Sequence, residues 1–334
     1  MKNIFFLFFA CISFSLVQAQ EIKNESTIHW INFNQLDKLQ QIQKKPVLVD
    51  VYTDWCGWCK QLDITTYADP NIVNYVNSAF YAVKFNAETR DSITYKGKKY
   101  YNRGQGTRST HELAVYLMGQ QLSYPTTIFL NQESTPSLIV PGYQAPNDMA
   151  AFLVYNAEQL NETANINDFT TDFKRAFNGK PNDSAHINWL TLDKALEMQK
   201  KSPKKILVHL KNNAFVSDRV MSASAFQSQE VIDSLNKNFY CVDFDAMSTD
   251  SVFFQNRYFV NSNPGKEYHQ LTYGLLQNKL AFPSIVILNE EALVLAPIRQ
   301  YITEKHLSAL LHYFNTNAQT KMPFHEWTQK VHKK

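Results

Sequence analysis

The chain has 334 residues, of which 44% are hydrophobic and 19% are charged, a composition that excludes an intrinsically disordered protein. At roughly 150 residues per domain, this length predicts two domains. The net charge of +3 is too small to indicate binding to nucleic acid or to an anionic membrane surface. The nine glycines are too few for a collagen-like chain.

The first apolar segment, Ile4–Val17, predicts export. Its fourteen residues suit the core of a secretory signal better than a membrane-spanning helix. Small residues favour cleavage after Ala19, so residues 1–19 are predicted to be a signal peptide. A lipoprotein site at Cys11 is the alternative, although the apolar run continues past it. No later run is long enough for a transmembrane segment, and we expect a periplasmic or secreted protein.

The two halves of the chain repeat one pattern of elements. His111 precedes Pro125 by fourteen residues, and His269 precedes Pro283 by the same interval. Each half is predicted to run helix, strand, helix, strand, helix, strand, strand, helix. Apolar strands indicate a sheet that helices cover on both faces. The sequence therefore predicts two α/β domains, residues 21–160 and residues 186–334.

Residues 161–185 form a polar linker between these halves. The linker contains one amphipathic segment, Phe169–Phe177, and a similar segment, Phe324–Val331, lies near the end of the chain. We expect both to form short helices packed on their own domains, the alternative being a plain linker and tail.

Trp55-Cys56-Gly57-Trp58-Cys59-Lys60 is the motif that indicates chemistry. It follows an apolar strand and is predicted to open a helix. Cys56 is expected to be exposed at the helix N-terminus, where a thiolate is favoured. Cys59 lies one turn deeper, so the two form a nucleophile with a resolving partner. A zinc site, which needs about four ligands, and an inert disulfide are the alternatives.

The third cysteine of the exported chain, Cys241, lies in an apolar strand pattern and is predicted to be a buried core residue. We expect no metal and no cofactor.

Four segments resemble the thioredoxin superfamily: Val49–Lys60, Leu62–Pro70, Lys84-Phe85-Asn86 and Tyr124-Pro125-Thr126. Leu62–Pro70 resembles in particular the thioredoxin-like domain of bacterial thiol:disulfide interchange proteins. The resemblance is strong over residues 28–160 and weak over residues 186–316. It implies an α/β fold with two tandem thioredoxin-like domains, of which the second is degenerate.

This resemblance also implies roles for individual residues. Cys56 is the attacking thiolate, Cys59 is the resolving cysteine, and Asp50 shuttles a proton for Cys59. Lys84 is the partner of Asp50, and a purely structural ion pair is the alternative. A cis Pro125 places the Tyr124 backbone beside the sulfurs, where it pairs with an extended substrate. The predicted catalytic residues are Cys56, Cys59, Asp50 and Lys84, and the predicted substrate-binding residues are Trp55, Gly57, Trp58, Tyr124 and Pro125.

Three features depart from the family pattern or compete with this assignment. Trp58 replaces the usual proline, so the redox potential of thioredoxin cannot be transferred. The stretch Thr89–Leu122 is long, with a predicted hairpin at Tyr95–Tyr101. Its basic residues, which include Arg103 and Arg108, form either a solvated loop or a partner-docking surface. His111 is predicted to have a packing or capping role, because its equivalent lies in a half without cysteines.

The second half has lost the thiol chemistry. The residues that align with Cys56, Cys59, Asp50 and Lys84 are Phe215, Asp218, His209 and Asp243. This half either holds an extended segment beside its Phe282-Pro283 turn or packs against the first domain.

The predicted function is an exported thiol:disulfide oxidoreductase that reduces disulfides in other exported proteins. Its electron donor is unidentified. Oxidation or isomerisation of disulfides is an alternative direction. A non-catalytic partner- or client-binding module with a vestigial or regulatory disulfide is the alternative function.

Overall fold

A computed structural model describes residues 26–119, 122–179 and 186–331. The predicted signal peptide and Cys11 lie outside these residues.

The first domain has a five-stranded central sheet in the order β1-β3-β2-β6-β7. β1, β3 and β2 are parallel, and β6 and β7 continue the sheet in antiparallel fashion. Strands β4 and β5 form a separate hairpin within the long insert, as predicted. The strands are β1 (Trp30–Ile31), β2 (Val47–Tyr52), β3 (Tyr81–Asn86), β4 (Ile93–Tyr95), β5 (Lys98–Tyr100), β6 (Thr126–Leu130) and β7 (Pro136–Pro141).

Five of the six helices described in this part of the chain begin at a residue whose side chain caps them, and the fifth helix begins with a proline instead. Asp69 accepts hydrogen bonds from the amides of Asn71 and Ile72, and Pro70 occupies the first helical position. His111 caps the fourth helix by accepting from the amide of Leu113, which confirms its structural role. The helices are α1 (Phe33–Ile42), α2 (Gly57–Thr65), α3 (Pro70–Ala79), α4 (Glu112–Met118), α5 (Pro146–Ala157) and α6 (Ile166–Asn178).

The second domain repeats this architecture, with a five-stranded sheet in the order β14-β13-β9-β10-β8. Its strands are β8 (Trp189–Leu190), β9 (Lys205–Lys211), β10 (Phe239–Asp245), β11 (Val252–Phe254), β12 (Arg257–Phe259), β13 (Ser284–Leu288) and β14 (Val294–Ile298). Its helices are α7 (Leu192–Lys201), α8 (Val216–Ala223), α9 (Gln229–Asn238), α10 (Gln270–Leu275), α11 (Glu304–Asn315) and α12 (Phe324–Val331).

The residue register supports the proposed equivalence of the halves. Asp50 pairs with Lys84 between β2 and β3, and His209 pairs with Asp243 between β9 and β10. The predicted fold of two tandem α/β domains is therefore confirmed. Cys241 is buried on β10, as expected.

The linker helix α6 corrects one expectation, since it packs on both domains and not only on its own. Phe169 and Phe173 of α6 share an apolar core with Val154 of α5 and Met221 of α8. Asp172 of α6 accepts a hydrogen bond from the Tyr301 hydroxyl at 2.9 Å. The domains therefore meet through a shared hydrophobic core, to which α6 contributes its buried face with Phe169 and Phe173.

The terminal helix α12 does pack on its own domain, where Trp327 contacts Tyr313. Within the ranges that the structure describes, no helix is both long and apolar enough to cross a membrane.

Candidate redox site

Cys56 and Cys59 lie together at the start of α2 and form a disulfide with an S–S distance of 2.07 Å. Cys56 is the N-cap residue of this helix, and its sulfur accepts a hydrogen bond from the Cys59 amide at 3.0 Å. Helix N-terminal amides and the helix dipole favour negative charge at this position, so the geometry suits a Cys56 thiolate.

The expected exposure of Cys56 is wrong for this disulfide form. Cys56 is 4% exposed and Cys59 is 3% exposed, so both sulfurs are covered almost equally. Next to the pair, Trp55 packs on Tyr124 of the proline turn. Their ring centroids are 6.2 Å apart.

Two tryptophans form the exposed rim of the site, with Trp55 51% exposed and Trp58 63% exposed. Trp58 contacts Tyr143, which lies just before α5. Gly57 is the first residue of α2, and no atom would obstruct a side chain there, so close packing does not require glycine at this position.

The predicted proline turn has the expected form, because the Tyr124-Pro125 peptide bond is cis. The turn leads into β6, which pairs with β2 directly before the redox helix. The topology thus brings the predicted substrate-binding residues Tyr124 and Pro125 to the same end of the sheet as the cysteines.

Asp50 and Lys84 form a buried ion pair beneath the redox helix. The Lys84 ammonium lies 2.6 Å from Oδ2 of Asp50, whose side chain is 2% exposed. Lys84 also contacts the carboxylate of Asp63, which lies on α2 itself. Among the described residues, Oδ1 of Asp50 is buried without a hydrogen-bond partner. One oxygen of Asp50 is therefore available to exchange a proton.

Burial raises the pKa of Asp50 from its ordinary value of 3.8 to about 6, although the attraction of Lys84 opposes this. Burial lowers the pKa of Lys84, but the two carboxylates outweigh this and leave it raised. Lys84 therefore stays charged while Asp50 titrates near neutral pH. This behaviour suits a carboxylate that accepts and returns a proton.

Aromatic rings surround the Lys84 ammonium and help to hold its charge away from water. The ring centroids of Trp30, Tyr52 and Tyr67 lie 4.8, 5.2 and 5.5 Å from Nζ. Such cation–π contacts contribute about 0.5–2 kcal/mol each. They keep Lys84 in place beside Asp50.

The long insert contributes a residue whose contact the sequence did not predict. The Arg108 guanidinium lies 5.0 Å from the Trp55 ring, and the Trp55 indole donates to Glu88 at 3.0 Å. These contacts fix one rim tryptophan between a cation and a carboxylate. Arg103 instead pairs with Glu112, away from the cysteines along the insert.

At the equivalent position, the second domain has a network of charged side chains and no cysteine. The His209 imidazole contacts Asp218 through Nε2 and Asp243 through Nδ1, each at 2.8 Å. Burial lowers the pKa of His209, but the two carboxylates outweigh it and raise this pKa to about 9. In the first domain the carboxylate of Asp50 lies on β2 and the cation lies on β3. In the second domain the cation, His209, lies on the equivalent strand β9, and the carboxylate of Asp243 lies on β10.

Metal binding finds no support in the part of the chain that the structure describes. There, no cluster of three or more histidine, cysteine, aspartate or glutamate side chains is arranged to hold a metal ion.

Comparison with known families identifies the first domain. Residues 33–157 match the family described as a thioredoxin-like domain. The first domain therefore belongs to the thioredoxin superfamily. A thioredoxin-like domain with a Cys56–Cys59 disulfide supports a function of the thiol–disulfide oxidoreductase type.

Solved structures with a general likeness include a thioredoxin from Thermus thermophilus, with 17% identity, 38% of this chain and 85% of that chain covered, and a TM-score of 0.29. A thioredoxin-fold protein from Helicobacter pylori has 15% identity and a TM-score of 0.32, and the match covers 46% of this chain and 90% of that chain. The oxidised C-terminal domain of DsbD from Neisseria meningitidis has 18% identity and a TM-score of 0.28, and the match covers 37% of this chain and 90% of that chain. No curated protein sequence matches the chain.

Proposed function

We propose that the protein is an exported thiol:disulfide oxidoreductase that reduces disulfides in other exported proteins through Cys56 and Cys59. The observation that supports this most directly is the cysteine pair at the start of α2, which follows the strand of the buried Asp50 and shares one end of the sheet with a cis-proline turn. Export rests on the apolar segment Ile4–Val17 and the cleavage site after Ala19.

The reaction transfers two electrons from the dithiol to the client disulfide. The Cys56 thiolate attacks one client sulfur, which forms a mixed disulfide and releases one client thiolate. Cys59 then attacks the sulfur of Cys56, which closes the Cys56–Cys59 disulfide and releases the second client thiolate. The Cys59 thiol loses its proton in this step, and Asp50 accepts it. A thiol-containing electron donor must reduce the pair again.

Reduction is the direction we favour, because a single cysteine pair at a helix start with a buried acid on the preceding strand suits electron relay. The rim tryptophans and the cis-proline turn offer an extended client segment an apolar surface with backbone groups. Trp58 is more exposed than Trp55, so we expect a client to contact Trp58.

Insulin reduction tests this function. The wild-type protein, with a chemical thiol as donor, should accelerate insulin precipitation, and Cys56→Ser should abolish the acceleration. Arg103→Gln is a matched control, because it removes a positive charge from the insert at a residue that pairs with Glu112. Equal rates for wild type and Cys56→Ser would reject the oxidoreductase and favour a binding module.

A further inference from the structure

Helix α8 of the second domain is the counterpart of the redox helix α2. It follows β9 as α2 follows β2, and Phe215 occupies the N-cap position that Cys56 has in the first domain. Phe215 makes no side-chain cap hydrogen bond. Its ring instead packs on Phe282 of the second cis-proline turn, with centroids 5.4 Å apart. The amides at the start of α8 therefore need another acceptor.

Glu158 of the first domain supplies that acceptor. Its Oε1 accepts from the Val216 amide at 2.7 Å, and its Oε2 accepts from the Ser217 amide at 3.0 Å. A carboxylate on the first amides of a helix makes charge-assisted hydrogen bonds and opposes the helix dipole. Glu158 thus binds where the active domain holds its nucleophilic sulfur.

Apolar packing surrounds this polar contact. Val154 and Tyr155 of α5 share one core with Val220 and Met221 of α8. Burial raises the pKa of Glu158, and hydrogen bonds from Ser217 and Val216 oppose this change, as does the nearby Arg219. The Glu158 carboxylate is therefore partly shielded from water, and the amides of Val216 and Ser217 supply hydrogen bonds in place of water.

Helix α8 is also fixed from inside its own domain. Asp218, which stands where the first domain has Cys59, contacts His209 at 2.8 Å through Oδ1. Its Oδ2 accepts from the Asn212 amide at 2.7 Å. The start of α8 is thus held by one carboxylate from within and by another carboxylate from the first domain.

We propose that the second domain has converted its inactive redox helix into a receptor for the first domain, with Glu158 as the bound carboxylate. The start of α8 is then an internal docking site and does not bind clients. The second domain serves as a rigid support for the first domain. The start of α5 lies near the redox helix, because Thr66 donates to the carbonyl of Gln144. At about 1.5 Å per residue, the twelve residues of α5 put Glu158 roughly 18 Å from the start of α5, so the docking contact lies at the opposite end of α5 from the redox helix.

Hydrogen–deuterium exchange of the full-length protein tests this docking. In Glu158→Ala, the Val216 and Ser217 amides should exchange at least ~10-fold faster, because each loses a hydrogen bond to a charged acceptor. Glu158→Gln retains one carbonyl oxygen and should give an intermediate effect. Glu162→Ala, which removes an exposed carboxylate four residues away, should leave both amides unchanged. Unchanged exchange at both amides in the Glu158 variants would overturn the proposal. Should Glu158→Ala fail to fold, Glu158→Gln applies the same criterion.

A peptide probe tests the assignment of client binding. Carboxymethylated insulin B chain, added in excess to the wild-type protein, should leave the exchange of Val216 and Ser217 unchanged. Additional protection of these amides by the peptide would show that the start of α8 is an open client site and would overturn the proposal. Neither experiment depends on thiol exchange, so their outcomes are independent of the insulin-reduction result.

Discussion

Replacing Asp50 by asparagine should stabilise the protein while slowing its reaction. A folded-state pKa of about 6, against an ordinary value of 3.8, means that ionised Asp50 destabilises the fold near neutral pH. Two pKa units correspond to about 3 kcal/mol. Asparagine resembles the protonated carboxyl in size and polarity. Asp50→Asn should therefore raise the free energy of unfolding by up to about 3 kcal/mol at about pH 8.

The pH dependence follows from the direction of the shift. Because the folded state holds the proton more tightly than the unfolded state, the wild-type protein regains this stability as the pH falls through about 6 towards 3.8. The advantage of Asp50→Asn should therefore shrink over that interval and vanish below it. Lys84 stays charged throughout, since its own pKa is raised.

Urea unfolding of the oxidised proteins at several pH values measures this effect. Asp63→Asn is the matched control, because Asp63 contacts the same lysine but its side chain is 41% exposed. This control should show no such gain. The reasoning would be refuted if Asp50→Asn were no more stable than wild type at about pH 8, or if its gain were the same at every pH.

The other predictions concern the cysteines, the second domain and export. Cys59→Ser should accumulate mixed disulfides with exported clients on non-reducing gels after acid quench, whereas Cys56→Ser should trap almost none; equal trapping would contradict the nucleophile assignment. The charged His209 should stabilise the fold fully below about pH 6.5, and this stabilisation, up to about 3 kcal/mol, should be lost as the pH rises through about 9. His209→Gln should flatten this pH profile in urea unfolding, and an unchanged profile would assign the pH dependence to another group. Mass spectrometry of the protein from its native host should find an N-terminus near Gln20 without lipid, and an intact Met1 or a lipidated Cys11 would exclude the predicted cleavage.

The sequence was sufficient to predict the features that are encoded locally. The apolar strand before the cysteines and the helix that the cysteines open each depend on a few neighbouring residues, and the structure has both. The repeat also aligned His209 with Asp50 and Asp243 with Lys84, and the strand registers of the two domains agree with that alignment.

The features that the sequence did not predict arise from contacts between distant segments. Glu158 is an ordinary acidic residue at a helix end, and only the fold brings it to the amides of Val216 and Ser217. The burial of Cys56 is likewise a property of the folded chain and not of the local sequence. Asp63 belongs to the segment Leu62–Pro70, which indicated the family. Its contact with Lys84 depends on the packing of α2 against β3, which the sequence does not specify.

The exchanged charges around His209 make the loss of chemistry in the second domain hard to reverse. A return of cysteine at position 218 alone would remove one of the two carboxylates that hold the buried imidazolium, and would leave the Asn212 amide without its acceptor. Removing one partner from a buried ion pair costs about 3–5 kcal/mol. A second cysteine at position 215 would also have to displace the ring contact with Phe282. Each single cysteine substitution at these two positions is therefore expected to destabilise the domain before a cysteine pair is complete.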